Sequence, residues 1–365
     1  MAYTTIDDPS AYFQTKLYTG NSTNNTAITN DGNSDLQPDW IWAKSRTNAH
    51  YHDLRDSSRG IDERLVSNTN DAESTKDQSY VSFDSDGFTL GDDTDGDGSA
   101  LNTINTSSNN YVAWQWKANG GTTTTNDASA TGVGTIDSVY QANTTAGFSI
   151  VTHTGSGSAG NIAHGLGAVP EWIVTKNRTD SGQSWANYHA SVGAEYYLEL
   201  DTTDAQETAS SVWGDTTPSS TTFRVGGANG KNNASSKNYV TYCFTPIQGY
   251  SKFGSYTGNG NADGPFIYTG FKPAWVMFKA TTGTENWGIF DNKRNTQTGN
   301  PRDIYLMPSA SNADSSESDS VDFLSNGFKW RIDSGFRNGN GVNFIYMAFA
   351  ESPFVSSKGA PTTAR

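Results

Sequence analysis

Apolar and polar residues alternate in three short stretches: AYFQTKLYTG from Ala11, GFSIVTHTG from Gly147 and YSKFGSYTG from Tyr250. A period of two sends successive side chains to opposite faces, so each stretch predicts a β-strand. Each is followed by a Gly/Asn-rich loop, a Pro-x-Trp phrase ending at Trp40, Trp172 or Trp275, and a short apolar strand, WIWAK, WIVTK or WVMFK. An aromatic then follows at Tyr51, Trp185 or Trp287, and a leucine-centred stretch at Leu65, Leu198 or Leu306. A turn leads into an aromatic strand around Phe88, Phe223 or Phe328, and each copy ends on a strongly apolar strand, YVAWQWKA, YVTYCFTP or FIYMAFAE. From Trp40 to Tyr111, Trp172 to Tyr239 and Trp275 to Phe344 the lags are 71, 67 and 69 residues. Landmarks kept in one order at matching lags mark an internal repeat.

Each copy is about 100 residues long, the size of a small domain. Closely spaced strands punctuated by Gly, Asn and Asp predict an all-β chain of three tandem antiparallel β-sandwiches of jelly-roll or lectin-like type. The expected boundaries are residues 10–118, 136–249 and 250–353, with a flexible Gly/Thr/Ser-rich spacer at 119–135 and a loose polar tail at 354–365. Helical turns are expected only around residues 61–66 and 205–211. In the recurring phrase, Pro sets φ at a strand entrance where no ladder donor is needed, and Trp begins a buried strand. Trp40, Trp172, Trp275, Phe88, Phe223 and Phe328 are therefore predicted structural anchors, each serving the interior of its own module.

Composition narrows the functional classes. Only 34% of the 365 residues are hydrophobic, yet the chain has 17 Tyr, 17 Phe and 10 Trp, so aromatics must supply much of the core. A formal charge of −14 argues against nucleic acid and anionic membrane surfaces as partners. No apolar run reaches the ~20 residues that span a bilayer, and no secretory signal precedes the first strand, so synthesis in a cytoplasm is expected. The lone Cys243 reads as a buried structural thiol.

Candidate chemistry is sparse, and no cofactor is expected. His50 and His52, with Asp53 and Asp56 nearby, read as a solvated strand face. His164 lies in a loop with no matching histidine in the other copies. Asp93-x-Asp95-x-Asp97-Gly98 follows the oxygen-ligand alternation of calcium loops but lacks the acidic twelfth position, where Ile104 stands. No nucleophile–base–orienter set is legible, and the expectation is a protein that is not an enzyme. A glycosidase needs only two carboxylates at a suitable separation, so polysaccharide degradation stands as a third reading. A glycan ligand would meet the loops at residues 21–34, 156–163 and 259–265, where Asn259 and Asn261 lie, and outward aromatics such as Tyr51 and Trp185.

GTIDSVYQANTTAGFSIVTHTG, HGLGAVPEW, GYSKFGSYTGNGNADGPFIYTGFKPAW, DFLSNGFKW and YMAFAESPF closely resemble segments of repeated marine bacteriophage proteins described as tail-fibre-like or virion structural. The resemblance is tight over residues 130–355 and looser over 10–118. It implies a virion location, other virion proteins as partners and, by analogy, attachment to a host surface glycan; the family offers no catalytic residues to carry over. The first unit begins near Met1 without a coiled-coil shaft, which leads to the expectation of a short appendage or tail-tip protein. Capsid decoration is the alternative. A homo-oligomer, with a trimer favoured, is expected, although three internal copies could reproduce a trimer within one chain.

Overall fold

The computed structural model describes residues 2–94, 103–295 and 299–362. Three large antiparallel sheets carry the chain. The first orders its strands Phe13–Thr19, Asn110–Trp116, Trp40–Ser45, Asp53–Asp56, Gly60–Leu65 and Ser74–Thr75. The second runs Phe148–Thr154, Asn238–Phe244, Trp172–Asn177, Ala186–His189, Tyr196–Glu199 and Glu207–Thr208 in the same order, with Ser138–Asn143 and Thr124–Asn126 added outside the first strand. The third runs Ser251–Thr257, Asn343–Pro353, Phe271–Ala280, Gly288–Asp291, Arg302–Leu306 and Ser315–Leu324, then continues through Gly327–Trp330 to Phe266–Tyr268. Small sheets back the first two: Thr26–Ile28 with Gly87–Leu90 and Tyr80–Asp84, and Gly160–Ala163 with Thr222–Val225. The chain is an all-β assembly of antiparallel sandwiches, and no described helix is long and apolar enough to cross a membrane.

Register matches across the three sheets. Thr19, Thr154 and Thr257 lie opposite Asn110, Asn238 and Asn343. Trp40, Trp172 and Trp275 lie opposite Trp116, Phe244 and Phe349. The Pro-x-Trp phrase thus sets the register in which each motif tryptophan meets an aromatic of the closing strand. All six predicted anchors are buried.

The interior departs from the expectation of three separate cores. Closing strands are buried on both faces, which is what their near-continuous apolar runs require. Tyr111 and Ala113, Cys243, and Phe344 and Tyr346 face small cores local to each module. Their neighbours Val112, Trp114 and Trp116, then Val240, Tyr242 and Phe244, then Ile345, Met347 and Phe349, enter one interior shared by all three modules. Trp40, Trp172 and Trp275 belong to that shared interior, so these motif anchors join modules together. At its centre the equivalent rings Trp116, Phe244 and Phe349 form a triangle, with centroid separations of 6.5 Å, 5.7 Å and 5.6 Å.

Contacts between modules close a ring. His52, Trp185 and Trp287 occupy equivalent positions just ahead of a strand. His52 Nε2 lies 3.1 Å from Met307 O in the third module, and Trp185 Nε1 donates to Val66 O in the first at 2.8 Å. Trp287 Nε1 donates to Glu199 O in the second module at 2.7 Å. A second cycle joins backbones: Asp314 N–H to Arg46 O, Glu73 N–H to Arg178 O and Gln206 N–H to Thr281 O, each at 3.0 Å. One chain thereby reproduces the contacts of a cyclic trimer.

Three local expectations change. Residues 119–135 carry the strand Thr124–Asn126 and the single helical turn Ala128–Thr131, capped by Asp127, where a flexible spacer was expected. Gly60–Leu65 is a strand, because its two ends must pair with Asp53–Asp56. In the tail Val355 bridges Pro361, and Ser357 N–H donates to Asp7 at 2.6 Å.

Candidate functional site

The Gly/Asn loops after the opening strands are the surface feature that all three modules share, and each is built the same way. A buried asparagine five residues before the closing strand staples the loop: Asn105, Asn233 and Asn338. Their side-chain carbonyls accept from Asn21 N–H, Ser156 N–H and Asn259 N–H, each at 2.9 Å. Their amides donate back into the module: Asn105 to Gly91 O at 2.6 Å, Asn233 to Gly226 O at 2.6 Å and Asn338 to Ile332 O at 2.8 Å. The glycine ending each Thr-Gly makes room for this approach. A Cβ on Gly20, Gly155 or Gly258 would lie 2.3 Å, 2.2 Å or 2.3 Å from the carbonyl oxygen of Thr106, Ala234 or Gly339. The recurring phrase therefore encodes a rigid loop as well as a strand.

Within the third loop the predicted ligand residues Asn259 and Asn261 are exposed. Their side chains already hold the loop: Asn259 Oδ1 accepts from Asn261 N–H at 3.1 Å and Asn261 Oδ1 accepts from Asp263 N–H at 2.8 Å. Local side-chain turns of this kind fix loop shape. Trp185 is not an outward aromatic. It is fully buried, because its indole seals the junction with the first module and its N–H needs an acceptor there. Tyr51 is half-buried, and the residue matching Trp185 is its neighbour His52.

His50 and His52 do not lie on a solvated face; both are buried. Trp42 Nε1 donates to His52 Nδ1 at 2.8 Å, leaving Nε2–H to donate to Met307 O, so this ring is neutral and structural. Burial holds His52 well below its ordinary pKa and pushes His153, His164 and His189 down to about 4. Cys243 is buried, and burial pushes its thiol up.

The calcium pattern is only partly described. Asp93 takes φ +62°, and its carboxylate accepts from Ser79 Oγ at 3.1 Å and from Ile104 and Asn105 N–H at 2.7 Å and 3.1 Å. It braces the segment carrying the staple Asn105. Asp95 and Asp97 lie outside the described residues. Among the described residues no group of three or more His, Cys, Asp and Glu is placed to hold a metal.

Sequence reasoning missed the charged nodes between modules. Asp56 and Arg59 form a wholly buried pair, and Arg59 also reaches Glu73 at 2.8 Å, which in turn binds Arg178 of the second module at 2.6 Å. Asp291 and Arg294 repeat the pair at 2.6 Å; Arg294 reaches Asp314 at 3.0 Å and Asp314 binds Arg46 of the first module at 2.8 Å. Aromatic donors from neighbouring closing strands complete both, Tyr242 to Asp56 at 2.7 Å and Trp114 to Asp291 at 3.0 Å. At the junction of second and third modules the equivalent residues are His189, Val192, Gln206 and Thr281, so that node is uncharged.

Lys44, Lys176 and Lys279, each next to last in its motif strand, are also buried. Each ammonium is held by backbone carbonyls: Ser45 O at 2.8 Å, Gln183 O at 2.6 Å and Ala280 O at 2.9 Å respectively. Burial pushes their pKa values down to about 7, 8 and 8.

Residues 8–353 match one family model, a domain of unknown function, DUF7483. The chain belongs to the DUF7483 family. No curated protein and no solved structure matches it significantly. The family match covers all three modules and the ring they form, so the three copies belong to one family unit.

Proposed function

We propose that this DUF7483 chain is a structural protein of a bacteriophage particle, a short tail appendage or tail-tip protein that presents its stapled loops to a host surface glycan. The observation that carries the reading is the threefold recurrence of one rigid loop, each copy fixed by a buried asparagine, on a ring closed within a single chain. Pre-ordered loops lose little entropy on binding, and linked weak sites gain apparent affinity without new contacts. A repetitive surface polysaccharide is the ligand class for which such multiplicity counts most. The sequence resemblance to tail-fibre-like virion proteins supports the same placement.

Two measurements test it. Antibody-labelled particles are imaged by electron microscopy, and the purified chain is applied to an array of bacterial surface polysaccharides. Label on the tail together with glycan binding that weakens in Asn233→Ala or Asn338→Ala supports the proposal. Absence of the chain from particles refutes it, and label on the head with a silent array replaces attachment by capsid decoration.

A further inference from the structure

Among the described residues, the second module carries one segment without a counterpart in the other two. Its strand Ser138–Asn143 runs along the outer edge of Phe148–Thr154, with Ser138 opposite His153 and Asn143 opposite Phe148. Just before it, Ile136 bridges Ile162 of the small sheet, and Thr135 N–H donates to Asn161 O at 2.8 Å. Asn161 N–H returns to Thr135 Oγ1 at 2.9 Å. One segment therefore closes the free edges of both sheets. Tyr140 within it covers Gly165, where a Cβ would meet the tyrosine ring at 2.2 Å.

The third module has the same slot, and no described strand fills it. Ser251–Thr257 and Phe266–Tyr268 are the two end strands of one sheet, and they frame the gap. Ile267 lies opposite Phe328 as Ile162 lies opposite Phe223, so Phe266 and Tyr268 take the places of Asn161 and Ala163. These are the positions that border the added segment in the second module. In the third, Phe266 and Tyr268 are 45% and 48% exposed. Adjacent exposed aromatics beside an unpaired strand edge are what a recruited strand would cover.

One corner is already occupied. Tyr3 donates to Gly270 O at 2.7 Å, and a Cβ on Gly270 would meet the Tyr3 hydroxyl at 2.7 Å. Gly270 is the counterpart of Gly165, so the phenol of Tyr3 supplies the cover that Tyr140 gives in the second module. Lys252 also spans the gap, donating to Tyr268 O at 2.8 Å. Among the described residues, no strand pairs with Gly254–Thr257 on that side. In the first module the corresponding edge is screened by its own loop, since Gln14 accepts from Gly32 N–H at 2.9 Å and donates to Ser34 O at 2.8 Å.

We propose that the open slot of the third module takes an extended segment of a partner protein as an added strand, pairing along Gly254–Thr257 and laying apolar side chains on Phe266 and Tyr268. The partner's chemistry is given by the strand that fills the equivalent slot: alternating polar and apolar or aromatic residues, as in residues 134–143, GTIDSVYQAN. Main-chain hydrogen bonds would supply affinity and the aromatic pair selectivity.

The probe is a fluorescent synthetic peptide of residues 134–143, titrated into the full chain and followed by anisotropy. Saturable binding is expected, at least tenfold tighter than for a scrambled peptide. Ser255→Pro, which removes an edge N–H, and Phe266→Asp, which charges the aromatic face, are each expected to weaken it by tenfold or more. Thr26→Asp, on the first module's small sheet, is expected to leave it unchanged. Absence of saturable binding, equal binding of the scrambled peptide, or indifference to both slot substitutions overturns the proposal.

Discussion

Phe349→Ala separates a ring with one interior from three modules on a string. The Phe349 ring is buried at the centre, with centroids 5.6 Å from Trp116, 5.3 Å from Phe13, 5.7 Å from Phe244 and 5.8 Å from Trp275. These neighbours come from all three modules. Truncating a buried Phe costs about 3–5 kcal/mol, transfer and cavity together. An unfolding entropy of about 2.1 cal/mol/K per residue gives ~0.77 kcal/mol/K for the whole chain if it melts as one unit. A loss of ~4 kcal/mol then lowers Tm by ~5 °C. Were the third module alone to melt, its smaller entropy of ~0.2 kcal/mol/K would convert the same loss into ~18 °C for that module and none for the others. Scanning calorimetry measures both quantities. One peak displaced by a few degrees is expected. A split endotherm, with one component displaced far and the rest unmoved, would refute the shared interior.

Three further outcomes follow from the buried charges. His153, His164 and His189 titrate near 4 when folded and near 6.5 when unfolded, so the unfolded chain binds more protons between those values and stability falls as pH drops through that window. At pH 5 each contributes a loss of about 2 kcal/mol relative to pH 7, and urea midpoints measured at the two pH values should differ accordingly; equal midpoints would contradict the burial of these rings. Lys44, Lys176 and Lys279 titrate near 7–8 folded against about 10.5 unfolded, so their penalty is relieved as pH rises from about 7 towards 10, and stability should climb over that range. Replacing all three by Met is expected to flatten the climb, again read from denaturant midpoints. Arg294→Met leaves Asp291 buried without its guanidinium, while Asp314 keeps Arg46, and is expected to cost about 3–5 kcal/mol; a change below 1 kcal/mol in urea denaturation would deny the node any structural weight.

The repeat was legible because each landmark answers a packing requirement. Alternation announced the opening strands, Pro-x-Trp the motif strands, and a run such as YVAWQWKA the closing strands. The same runs are buried on both faces and reach an interior beyond the module's own, which the expectation of three separate cores left out. The junctions were harder to read because chemically unlike residues do one job there. His52 stands where Trp185 and Trp287 stand, since an imidazole and an indole can each give one N–H to a carbonyl; the nearest aromatic by eye, Tyr51, is one residue away. The staples did leave a trace: Asn105 and Asn110, Asn233 and Asn238, and Asn338 and Asn343 repeat one Asn-x4-Asn spacing. The open slot left none, because only comparison of three occupied or vacant edges distinguishes it.

Unequal junctions raise the question of why two are charged and one is neutral. Chain connectivity is too weak an answer. Arg46 and Asp314 are 268 residues apart and Arg178 and Glu73 are 105 apart, and loop-closure entropy differs between such spans by only about 1 kcal/mol. The charges that cross the junctions are part-buried, with side chains 19% and 15% exposed for Arg46 and Asp314 and 22% and 11% for Arg178 and Glu73. A lost partner therefore costs less there than the about 3–5 kcal/mol of a wholly buried charge, but unlike the loop term it acts only against the wrong neighbour. The first module presents Arg46 to the third and Glu73 to the second, while Thr281 of the third faces Gln206 of the second. Bringing Thr281 against Glu73 would strand Arg59's acidic partner without Arg178, and bringing Gln206 against Arg46 would strand a guanidinium. Three modules alike enough to exchange places are thus held in one cyclic order by penalties against the wrong neighbour.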